Sequence, residues 1–103
     1  MGYNVVWTPD ARHDLDVAVS YLADNLDMCA AATGLLDSME KLVGTLRCFP
    51  EAYERSRDQF LAARGYWKAV DGGYIVPYLI DDARGEVVIT NIVHGSRDYA
   101  RRM

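Results

Sequence analysis

No run of eighteen or more apolar residues occurs in the 103-residue chain, because Asp, Arg, Asn or Glu interrupts every stretch, and this excludes a membrane-spanning helix. Met1-Gly2-Tyr3-Asn4 lacks the basic and apolar regions of a signal peptide, so the expected location is the cytoplasm. Cysteine is scarce: Cys29 and Cys48 have no second Cys or His nearby, which fits neither a zinc spacing nor a disulfide framework. On one helix the two thiols stand roughly 28 Å apart, beyond the reach of a bond within one chain. Walker and dinucleotide glycine patterns are missing, and so are a nucleophile elbow and paired histidines. No cofactor or metal is implied.

A broad basic footprint is also lacking. The formal charge is -4, with ten acids against five bases in residues 1 to 60 and five acids against six bases in residues 61 to 103. That balance argues against sequence-independent binding to phosphate backbones but leaves room for a local basic site near the C-terminus.

Half of the residues are apolar, enough for one modest core, so residues 1–103 read as a single domain. Tyr3, Val5 and Trp7 alternate along a first strand. Thr8-Pro9-Asp10 then supplies an N-cap acceptor, a proline at the first helical position and an acid in the first turn. Ala11, Leu15, Ala18, Val19, Leu22 and Leu26 form the apolar stripe of a helix running to about Asp27. Its acids, Asp14 among them, read as a solvated face. Ala32, Leu35, Leu36, Met39, Leu42, Val43 and Leu46 mark a second helix that ends by Phe49-Pro50, and Gly34 and Gly44 within it suggest close packing. Together the two helices make a hairpin with its apolar face on a sheet.

Residues 51 to 63 read as a loop with one helical turn. Gly65–Val70, Tyr74–Asp81 and Glu86–Val93 follow as three strands of an antiparallel meander, joined at Asp71-Gly72-Gly73 and Asp82-Ala83-Arg84-Gly85. Pro77 cannot donate to a ladder and marks an edge or a bulge. Asp81 and Asp82 read as turn formers rather than paired catalytic acids. The expected fold is therefore α+β: strand, helical hairpin, then three antiparallel strands in the order β-α-α-β-β-β.

This order, with Tyr3, Trp7-Thr8, Ala11 and Leu15 at the start, resembles the RelE/ParE superfamily of type II toxin–antitoxin toxins. Gly65-Tyr66 with Lys68, Tyr74-Ile75-Val76 with Tyr78, Ile92, and His94-Gly95 with Arg97-Asp98-Tyr99 add to the resemblance. It implies a toxin neutralised by a cognate antitoxin. ParE-like members act on DNA gyrase, whereas RelE-like members cleave messenger RNA on the ribosome.

Metal-free RNA cleavage needs a base for the 2′-hydroxyl, cations for the phosphorus centre and an acid for the leaving oxygen. Arg97 and Lys68, with Arg64 in reserve, are the candidate cations, and His94 and Tyr99 the candidate proton carriers. The resemblance places Arg97 near a family arginine at the exit of the last strand and Tyr99 near a C-terminal tyrosine that some ribonuclease members use. Where such members often carry an arginine after the position of Tyr74, this chain has Ile75. That departure and the acidic balance favour the ParE-like side, with Arg64, Lys68, His94, Arg97 and Tyr99 as partner- or target-binding residues. The alternatives are a RelE-like, metal-independent endoribonuclease and an inactive toxin fold kept as an interaction module. Each residue also has a structural reading: Lys68 as the partner of an acid, His94 as a hydrogen-bonded histidine at a strand end, Arg97 as an ion pair with Asp98.

Overall fold

In a computed structural model, residues 2–24, 28–71 and 73–94 are described. Strand β1 spans Asn4–Trp7, helix α1 Pro9–Ala23 and helix α2 Cys29–Cys48. They are followed by β2 (Glu54–Arg55), α3 (Gln59–Ala63), β3 (Trp67–Asp71), β4 (Tyr74–Asp81), β5 (Glu86–Ile89) and β6 (Val93–His94). The sheet order is β1-β5-β4-β3-β2, with β6 also paired to β4. The antiparallel meander is β3-β4-β5, and β1 joins it as an edge strand parallel to β5.

Local chemistry sets most boundaries. Thr8 is the N-cap of α1 and accepts from the Ala11 amide at 3.1 Å. Its hydroxyl also donates to the Thr90 carbonyl at 3.0 Å, which ties the start of α1 to the end of β5. The described part of α1 ends at Ala23, while Leu26 and Asp27 lie outside the described residues. Positive φ at Gly73 (84°) and Gly85 (64°) turns the chain between strands, a region closed to most L side chains. Asp81 accepts from the Arg84 amide at 3.2 Å, as a turn former does.

The helices cover one face of the sheet. Val76 and Tyr78 of β4, Ala69 of β3, and Val87 and Ile89 of β5 bury against Leu35, Met39, Leu42 and Leu46 of α2 and Ala11 of α1. Tyr3, Val5 and Trp7 pack on the same core. Alternation sends Lys68, Val70, Ile75, Pro77 and Leu79 to the opposite face.

Four expectations change. Residues 51–63 are not only loop: Glu54–Arg55 is a strand on β3, while α3 supplies the helical turn, capped by Asp58, which accepts from the Leu61 amide at 3.0 Å. Two residues carry no period, so only the partner strand reveals β2. Glu86–Val93 is not one strand: it is interrupted at residues 90–92, and β6 begins at Val93. Asp14 is not simply solvated, because its carboxylate accepts from the Ile92 amide at 3.0 Å and ties α1 to that interruption.

The fourth concerns Gly34 and Gly44, which do not mark close packing; a Cβ at either would meet nothing within 4 Å. Gly34→Ala and Gly44→Ala should therefore each stabilise the fold by about 1 kcal/mol, since alanine reduces the entropy of the unfolded chain without a clash. In a domain of this size that raises the melting temperature by about 4–8 °C per substitution. An unchanged or lowered melting temperature by calorimetry would contradict the open placement of these glycines.

Pro77 explains the interruption. From Tyr78↔Ile89 to Ile75↔Val93, β4 advances three residues while its partner advances four, so the partner strand carries one extra residue, a bulge. The Pro77 carbonyl accepts from the Thr90 amide at 3.2 Å. In an extended strand a residue's carbonyl and amide point to the same side, so the donor that proline lacks would have faced the bulge, where the ladder is already broken. Proline thus occupies a central strand at the one stretch where its missing N–H costs least.

Candidate functional site

The bulge decides where the exit of the meander points. Without the extra residue His94 would lie opposite Gly73, on the face that carries Lys68; with it, His94 lies opposite Tyr74. Residues paired across strands share a face. His94 accordingly meets the Tyr74 ring edge-on, with centroids 5.5 Å apart, on the helix side of the sheet. Lys68 is opposite Pro77, on the other side.

Lys68 is a paired cation. Its Nζ lies 3.3 Å from Glu54 Oε1, and its side chain is only 16% exposed. Glu54 also meets Arg57 at 3.4 Å. The hydrogen bond from Lys68, then the charge of Arg57, hold the Glu54 carboxyl below its usual pKa. A lowered folded-state value means that this pairing stabilises the fold above the ordinary carboxylate range and is lost as pH falls through the lowered value. Glu54 is exposed, so solvent screening keeps the effect small.

Arg64 closes α3, and its guanidinium lies 4.1 Å from the centroid of the Phe60 ring one helical turn earlier. Both side chains are exposed. Arg55, across from Trp67 in the β2–β3 ladder, lies 5.4 Å from that ring. Glu54 and Arg57 thus join Lys68 in a charged group at the β2 edge that sequence reasoning missed, with Arg55 beside Trp67 on the other face. The available signal was charge alternation in Glu54-Arg55-Ser56-Arg57-Asp58, which has meaning only once β2 is paired.

Of the five candidates, Arg64 and Lys68 follow one another on α3 and β3, and His94 stands apart from Lys68 across the sheet. Arg97 and Tyr99 lie outside the described residues. Among the described residues no group of three or more His, Cys, Asp or Glu side chains could hold a metal ion, and no helix is long and apolar enough to cross a membrane. Cys29 and Cys48 stand at opposite ends of α2 and both are exposed.

Solved toxin structures have the same architecture. The chain superposes on the toxin–antitoxin complex RelBE2 from Mycobacterium tuberculosis with a TM-score of 0.65 and 25% identity, over 91% of this chain and 99% of that one. It matches the chromosomal ParDE toxin–antitoxin system from P. aeruginosa with a TM-score of 0.69 and 18% identity, over 89% and 95%. The isolated RelE toxin of E. coli gives a TM-score of 0.57 at 17% identity, over 97% and 92%. No curated protein matches the chain significantly in sequence. The family described as the ParE toxin of the type II toxin–antitoxin system, parDE, matches residues 5–99, nearly the full length, and the chain belongs to that family.

Proposed function

We propose that the chain stops growth by binding DNA gyrase without cutting nucleic acid, and that a cognate antitoxin holds it inactive in a hetero-oligomer. The observation that carries this reading is the separation of Lys68 and His94 on opposite faces of the sheet. Cleaving RNA without a metal requires the cation and the proton carriers to converge on one phosphate. A lysine paired with Glu54 on one face and an imidazole against Tyr74 on the other do not converge. Ile75, next to Tyr74, adds no charge. Membership of the ParE toxin family supports the same reading, and the RelBE2 toxin–antitoxin complex supports an antitoxin partner.

In this reading His94, Arg97 and Tyr99 are recognition residues, with Arg64 and Lys68 as further partner- or target-binding residues. The decisive assay adds purified chain to gyrase and relaxed plasmid, and separately to ribosomes carrying message. Supercoiling should fall while the message stays intact. Arg97→Ala should weaken the inhibition by about tenfold, the loss of one charged anchor at an interface. Message cleavage that disappears on Arg97→Ala would instead establish a ribosome-dependent mRNA endoribonuclease. Unimpeded growth when the chain is expressed alone would leave an inactive toxin fold serving as an interaction module.

A further inference from the structure

Away from the sheet exit, the C-terminal end of α2 opens onto a cleft of about 580 Å³ between Tyr3 ahead of β1, the end of β4 and the segment after the helix. Its apolar lining includes Tyr3, Phe49, Pro50 and Ile80, and Glu51 and Asp82 supply charge. Phe49 is 67% exposed, so its ring is open to a partner in this cleft.

The walls are fixed before anything binds. The Phe49 amide donates to the Thr45 carbonyl at 2.7 Å, closing the last turn of α2, and the Tyr3 amide donates to the Arg47 carbonyl at 2.7 Å. From the sheet, the buried Tyr78 hydroxyl donates to the Pro50 carbonyl at 2.7 Å. At the opposite lip the Tyr3 hydroxyl donates to Asp82 Oδ1 at 2.8 Å. Such anchoring lowers the ordering cost that binding would otherwise carry.

The charged residues of the lining have one sign. No Lys, Arg or His is among the described residues that line the cleft. The carbonyl end of α2 adds negative partial charge to that of Glu51 and Asp82. The Tyr3 phenol registers this environment: its pKa is raised, first by its hydrogen bond to Asp82, then by the charge of Asp82, with burial and lastly the charge of Glu51 adding to it. Phosphate is repelled from such a place, whereas a cation gains twice, from the carboxylates and from the faces of aromatic rings.

We infer that this cleft is a docking site for a segment of a partner protein that presents an arginine beside an apolar residue. The apolar neighbour covers Phe49 and Ile80, and the guanidinium lies along an aromatic ring with its N–H groups directed at Asp82 and Glu51. Arginine fits better than lysine, because its planar group can stack and donate in two directions at once. The inference is separate from the gyrase reading, since its test measures binding and not toxicity.

The experiment is a ¹⁵N-edited NMR titration of the full chain with the capped peptide acetyl-Leu-Arg-Leu-amide, and with acetyl-Leu-Glu-Leu-amide as its counterpart. The arginine peptide should shift the amides of Phe49, Glu51, Ile80 and Asp82, and the glutamate peptide should not. In a Glu51→Gln/Asp82→Asn variant the arginine peptide should bind about tenfold more weakly, as expected when charge-assisted hydrogen bonds are replaced by neutral ones. Should that variant fail to fold, Glu51→Gln alone, at an exposed position, should weaken binding by about threefold. Absence of shifts at the cleft, equal response to the two peptides, or unchanged affinity in the folded variant would overturn the assignment.

Discussion

Leu42→Ala should lower the stability of the domain by about 2–5 kcal/mol, the cost of removing buried methyl groups and leaving a cavity. Leu42 is 1% exposed, sits within the buried stripe of α2 and belongs to the same core cluster as Val76, Tyr78, Val87 and Ile89. Domains of this kind have about 5–15 kcal/mol in total, so the substitution threatens the folded state itself. Urea denaturation followed by circular dichroism measures the change. Leu36, from the same helical period, is 47% exposed, so Leu36→Ala should change stability by no more than about 0.5 kcal/mol. Equal losses in the two variants would mean that α2 does not pack on the sheet by the face described above.

Tyr78→Phe is expected to cost about 1–3 kcal/mol at neutral pH, through a different mechanism. The side chain keeps its shape, but the Pro50 carbonyl loses its 2.7 Å donor in a site where Tyr78 is fully buried. Burial is also the main cause that pushes the phenol pKa well above the usual tyrosine value. The folded-state pKa is therefore higher than the unfolded one, near 10. Stability from the neutral phenol is fully present below pH ~10 and is lost as pH rises from there through the folded-state value. The wild-type chain should thus lose stability steeply in alkali, and Tyr78→Phe should lose it more gently, with the raised Tyr3 phenol contributing to the slope that remains. Urea midpoints at neutral pH and at several alkaline values test both parts; identical alkaline slopes would rule out Tyr78 as the source. Since the same hydroxyl anchors the cleft beside α2, the Phe variant should also bind the arginine peptide more weakly.

Both substitutions act at positions whose burial was readable in advance only for Leu42. Its place in the period of Leu35, Met39 and Leu46 put it inside. Tyr78, by contrast, shares its strand with Tyr74 and nothing local distinguishes the two; only the docking of α2 and the segment after it selected Tyr78 as fully buried and hydrogen-bonded. Asp14 shows the same limit: as one acid among several on α1, nothing local marks it as the acceptor for the Ile92 amide, far away in sequence.

The sequence by itself determined what depends on near neighbours. Thr8-Pro9-Asp10 starts α1, the apolar period defines α2, the glycines and Asp81 turn the meander, and Pro77 marks a break in the ladder. These signals are local because capping, amphipathic period and φ preference act over a few residues. Only the tertiary structure decided which strands adjoin, that β1 runs parallel to β5, that Glu54–Arg55 pairs with β3, and that the bulge at residues 90–92 adds one residue opposite Pro77. That residue matters most for function. Side chains alternate with a period of two, so a slip of one moves every later side chain to the other face, and it is this slip that takes His94 away from Lys68.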